Sequence, residues 1–148
     1  MSAVIMLNAG PLGLLTNPNA SPQPVACRAW LASLLAAGRR VVVPEITDYE
    51  VRRELVRIQS RSALTNLDVY VAQLEYVPLT TTAMRLAARL WAQARQTGQP
   101  TASDAALDCD VILAAQGLSL NMPVMVATGN PGHLTRFVPA ELWSSISP

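Results

Sequence analysis

The sequence predicts an α/β fold of three layers, α/β/α, around a central, mostly parallel sheet of four to five strands. Three observations carry this. Residues 3–7 (AVIML), 41–43 (VVV) and 124–128 (VMVAT) are short, almost wholly apolar runs, as strands buried on both faces require. Amphipathic helical segments alternate with these runs, the order that makes neighbouring strands parallel. The chain has 148 residues, 51% of them hydrophobic and 14% charged, enough for one domain over residues 1–148 with a substantial core.

Residues 3–7 form the first strand, bounded by the turn-forming run Asn-Ala-Gly-Pro, with Asn8 at its carboxyl edge. Residues 17–24 (NPNASPQP) read as a loop, and residues 26–37 as a helix closed by Gly38. A second strand follows over residues 40–44. Pro44 or Thr47 opens the next helix, where Thr47 and Glu50 have capping-box spacing. Val51, Leu55 and Ile58 recur on its core-facing side, while Arg52, Arg53, Arg57 and Arg61 line much of the remainder.

Residues 63–73 suit a short helix and residues 74–78 a third strand. Residues 80–96 form an amphipathic helix with Met84, Ala87, Ala88, Leu90 and Trp91 near one side, ended by Gly98 and Pro100. Ser103 or Asp104 caps the following helix, which contains DVILAA. Residues 124–128 are the fourth strand, and Phe137 and Val138 supply a short edge strand.

A net charge of +1 gives no global attraction for nucleic acid or anionic membranes, so any polyanion must be held locally. All eleven basic residues are arginines. Two cysteines, Cys27 and Cys109, cannot make a disulfide framework, which favours a reducing, cytoplasmic setting. The apolar N-terminus lacks a positive leader and no run reaches membrane-spanning length, so no membrane association is expected. One histidine, His133, excludes a histidine-rich zinc site and disfavours a Ser-His-Asp triad. Neither a GxGxxG fingerprint nor a P-loop lysine is present.

The acid inside DVILAA contradicts its surroundings, because a buried carboxylate needs a partner or a metal. On a regular helix Asp104 and Asp108 lie about 40° apart, whereas Asp110 is about 120° or more from both. Asp110 is therefore singled out; Asp104 reads as a cap and Asp108 as solvated. Ligands in parallel α/β folds gather beyond the carboxyl ends of the strands. Asn8, the turn leading to Glu50, and residues 128–130 ending in Asn130 share that edge. Glu50 taken alone is an ordinary helix-surface acid, and the two asparagines are equally turn formers. Oxygen ligands without histidine or thiolate point to Mg²⁺ or Mn²⁺, the ions of phosphoryl chemistry.

With these residues in view, the chain resembles the PIN-domain nucleases of VapC-like toxins over nearly its whole length. VIMLNAGPLGLL is similar to the family's opening strand, with Asn8 where the family has Asp. VVVPEITDYEVRREL places the second acid on Glu50. DVILAA assigns the third to Asp110, and VATGNPGHL the fourth to Asn130. The resemblance implies a PIN-like fold and a metal-dependent endoribonuclease, the toxin of a toxin–antitoxin pair, that hydrolyses single-stranded RNA. It implies Mg²⁺ or Mn²⁺ at Asn8, Glu50, Asp110 and Asn130, with Asp108 or Asp104 as substitute ligands and Arg52 and Arg53 steering RNA. A homodimer and an antitoxin partner are implied with it. Two of the four acidic positions are amides here. That leaves open a weakened site, an inactivating substitution, or a catalytically silent module that binds RNA or a partner protein.

Overall fold

The computed structural model describes residues 2–98 and 108–148. Its sheet has five strands, all parallel: β1 (Val4–Leu7), β2 (Val41–Pro44), β3 (Glu75–Val77), β4 (Val124–Thr128) and β5 (Ala140–Leu142). Their order is β3-β2-β1-β4-β5. From β1 the chain builds outward through β2 and β3, then crosses back to place β4 on the other side. The strand order thus reverses between β1 and β4, where open parallel sheets form a crevice at their carboxyl ends.

Six helices are described: α1 (Ala9–Thr16), α2 (Pro22–Ala36), α3 (Glu45–Arg57), α4 (Arg61–Gln73), α5 (Thr81–Gln96) and α6 (Cys109–Leu118). Alternation along β1 divides the core. Val4 and Met6 join Val42, Val126, Ala87 and the apolar residues of α6 on one face of the sheet. Ile5 and Leu7 join Leu12, Leu31, Leu34, Val51 and Leu67 on the other. Helix α6 packs closely enough that a Cβ at Gly117 would lie 3.0 Å from Met6 Sδ. Among the described residues, no helix is long and apolar enough to cross a membrane.

Several boundaries differ from expectation. The run after Asn8, read as a turn, is the helix α1. Asn8 caps it by accepting from Ala9 N at 2.8 Å. Pro11 is tolerated because amides in the first helical turn lack intrahelical acceptors. For the same reason α2 begins at Pro22, ahead of residue 26, with prolines in its first turn.

Helix α3 begins at Glu45, without the Thr47–Glu50 capping box. Gln116 of α6 supplies the cap instead, its Oε1 accepting from Ile46 N at 3.2 Å. The helix ends at Arg57, and Ile58 is exposed rather than core-facing because the chain turns there, with Gln59 at φ 57°. On α5 the buried positions are Ala83, Ala87 and Ala94; Met84 and Ala88 face solvent. The edge strand is β5, whereas Val138 is a buried core residue and Phe137 packs against that core.

Candidate functional site

Asn8 ends β1 and opens α1 without an intervening loop. Its Oδ1 faces Ala9 N, and its Nδ2 donates to Thr128 Oγ1 at 3.0 Å. Thr128, at the end of β4, also accepts from Asn130 N at 3.2 Å. Asn130 Oδ1 in turn accepts from Gly132 N at 3.2 Å, which makes a local turn. The crevice between β1 and β4 is therefore closed by Asn8, Thr128 and Asn130. The approach is tight: a Cβ at Gly10 would meet Gly129 N at 3.2 Å.

The two carboxylates come from helices. Glu50 lies one turn into α3 and Asp110 lies in the first turn of α6; both are half-buried. Burial raises the proton affinity of Glu50, the Asp110 charge raises it further, and Arg53 offsets part of this. Burial also raises Asp110, followed by the Asp108 charge, with His133 opposing. Each acid is thus held above the ordinary carboxylate range in like-charged surroundings. Between them, the Cys109 thiol is pushed up to about 11 by burial first and then by Glu50.

Asp108 is not the solvated acid expected. It is only 7% exposed and is the N-cap of α6, its Oδ1 accepting from Val111 N at 3.2 Å. Asp104, like Ser103, lies outside the described residues. His133 stands beside the acids, with Arg136 Nη2 3.1 Å from its Nδ1.

The two arginines differ in their surroundings. Arg52 pairs with Asp48 and Asp68, each at 2.9 Å, and Asp48 also accepts from the Tyr76 hydroxyl. That guanidinium clamps α3 to α4. Arg53 instead lies over the Tyr49 ring, 5.2 Å from its centroid.

The site therefore has two halves. Asn8, Thr128 and Asn130 are joined by hydrogen bonds, while Glu50 and Asp110 are joined by charge. Among the described residues, no three His, Cys, Asp or Glu side chains gather closely enough to hold a metal. The donor set still suits a hard cation. Two oxygen acids that repel each other gain most from a positive ion between them, and an amide oxygen that accepts one hydrogen bond keeps a second lone pair. The residue that sequence reasoning under-weighted is Thr128. Its signal was the T-x-N spacing that assigned Asn130.

No family model and no curated protein matches this sequence. Solved structures do match. A chain of the VapBC2 complex from Rickettsia felis, bound to a DNA fragment from their promoter, superposes with a TM-score of 0.74 at 17% identity, covering 95% of this chain and 98% of that one. FitAcB from Neisseria gonorrhoeae matches with a TM-score of 0.70 at 18% identity, over 97% and 100% of the two chains. DNA-bound VapBC from Salmonella typhimurium matches with a TM-score of 0.69 at 20% identity, over 96% and 99%. The fold is PIN-like. At these identities the likeness is one of architecture: three layers with a parallel central sheet.

Proposed function

We propose that this chain is a divalent-metal-dependent endoribonuclease of the PIN type, acting in the cytoplasm as the toxin of a toxin–antitoxin pair. The observation that carries the reading is the Glu50–Asp110 pair, two half-buried acids on the packed helices α3 and α6, with the Asp110 charge felt at Glu50. Glu50 and Asp110 would hold Mg²⁺ or Mn²⁺, with Asn8 and Asn130 completing its oxygen shell. When bound, the ion neutralises phosphate charge and makes a water more acidic. Arg53, aligned with Glu50 on α3, attracts the RNA backbone. Support also comes from the likeness to chains of VapBC complexes, which favours an antitoxin partner.

The test is cleavage of single-stranded RNA in Mn²⁺ by the present chain and by Asn8→Asp. Cleavage that is weak in the first, strong in the second and abolished by chelator is the expected result. If neither protein cuts RNA or binds Mn²⁺, the nuclease reading is lost.

One observation favours a second reading, a silent module that binds RNA or a partner protein. Asn8 brings no charge, and its amide is already engaged at both ends. That module would bind RNA equally well with and without chelator, and Asn8→Asp would not gain turnover.

A further inference from the structure

A groove of about 340 Å³ lies between α1 and α3 and shares Glu50 with the candidate site. Its α1 wall is nearly bare. Ala9 and Gly13 stand one turn apart on the same helix face, and a Cβ added at Gly13 would meet no atom within 4 Å. The opposite wall is Val51 and Leu55, with Arg53 and Glu54 at the rim. Glu54 is ion-paired with Arg57. Arg53 has no ion pair among the described residues and lies over the Tyr49 ring, which is 47% exposed.

We propose that this groove receives an unpaired nucleobase of the RNA strand whose backbone reaches Glu50 and Asp110, with Arg53 taking the adjoining phosphate. This rests on the nuclease reading above and adds to it where the substrate lies.

The argument is one of chemistry and place. The walls are apolar and can flank a flat ring, while the rim carries a guanidinium that makes no close ion pair among the described residues. A nucleotide combines both: an apolar face and a phosphate that the planar fork of arginine fits. A strand that reaches Glu50 comes within reach of the groove, because Glu50 lines both. Only an unstacked base can enter, so the groove selects single strands; in a duplex the bases are already stacked.

Gly13 permits a clean test. Gly13→Phe should fill the groove, and it replaces a helix-interior glycine by a better helix former, so Tm should hold or rise. Binding of a short fluorescent single-stranded RNA is measured by anisotropy in chelator, so that no chemistry intervenes. The expected result is a loss of affinity of about tenfold or more in Gly13→Phe, because the apolar face of one base is no longer buried. Mn²⁺ affinity should be unaltered, and a same-sequence duplex should compete poorly against the wild-type complex.

If Gly13→Phe fails to fold, the amide shifts of Ala9 and Gly13 in the wild-type chain on RNA addition give the same readout. RNA that binds Gly13→Phe with full affinity, or that shifts amides elsewhere, overturns the groove and leaves the metal site standing. A change of mass by light scattering in Gly13→Phe, with RNA affinity intact, would make the groove a protein interface and also overturn the proposal. Absence of Mn²⁺ binding and cleavage in both the present chain and Asn8→Asp would instead remove the reading on which it rests.

Discussion

Asn8 Nδ2 donates to Thr128 Oγ1 across 3.0 Å and links two positions 120 residues apart in the chain. The bond joins the carboxyl ends of adjacent parallel strands where the strand order reverses. It also sets which end of the amide is turned to Thr128. The hydroxyl accepts from the NH₂ group, so the amide oxygen is left for Ala9 N and for the crevice.

Removing that hydroxyl should therefore be felt in stability. Thr128→Val leaves Asn8 Nδ2 and Asn130 N without their acceptor, and Thr128 itself is only 2% exposed. The expected loss is about 1–3 kcal/mol in urea unfolding. Thr128→Ser, which keeps the oxygen, should recover most of it. Equal losses in the two variants would show that the methyl packing, not the hydrogen bonds, carries Thr128.

Glu50 and Asp110 set a pH dependence of definite sign. Both acids have proton affinities raised by folding, chiefly through burial. Between the ordinary carboxylate value and the raised folded value, the native chain binds more protons than the unfolded one. Stability is therefore greatest below that window and falls as pH rises through it. Glu54 and Glu75 act oppositely and at lower pH, since their arginine partners depress them. In chelator, Glu50→Gln should flatten the fall and exceed the wild-type unfolding midpoint at neutral pH. A Glu50→Gln curve parallel to the wild type would mean that Glu50 is not charged against its surroundings.

Gln116 is the most exacting polar residue of the core. It is 1% exposed, accepts from Ile46 N, and donates through Nε2 to Val77 O at 2.9 Å. One side chain thus ties α6 to the start of α3 and the end of β3. Gln116→Leu strands a buried donor and a buried acceptor, and should cost about 2–4 kcal/mol. Gln116→Glu can keep the Ile46 contact but loses the donor to Val77. Denaturant midpoints for the pair would separate the two bonds.

The same residue explains part of what the sequence did and did not reveal. Strand positions were legible because VIML, VVV and VMVAT have no place but a two-sided core. Pro44 does open α3, but the Thr47–Glu50 spacing does not cap it, because an amide of its first turn is met by Gln116, 70 positions away, which no local pattern encodes. Helix α1 was hidden by its own composition: AGPLGLL holds two glycines and a proline, and only the Asn8 cap and packing on the sheet make it helical. Within the site, Asp110 stood out as an acid in an apolar run. Asp108 was misjudged because a helix cap buried at 7% exposure looks, in sequence, like a surface acid. Arg52 and Arg53 are adjacent and alike in sequence; Asp68, on the neighbouring α4, is part of what separates them.

The double role of Asn8 has a consequence for how such a chain can change over generations. Asparagine and aspartate are near-equal helix caps, and Thr128 can donate to a carboxylate as readily as it accepts from an amide. The local hydrogen bonds at position 8 can thus be served by either residue. A single substitution there can add or remove one negative charge at the carboxyl end of β1 while those bonds are kept. The protein keeps a hinge point in sequence space at which chemistry can be lent out and taken back without rebuilding the scaffold.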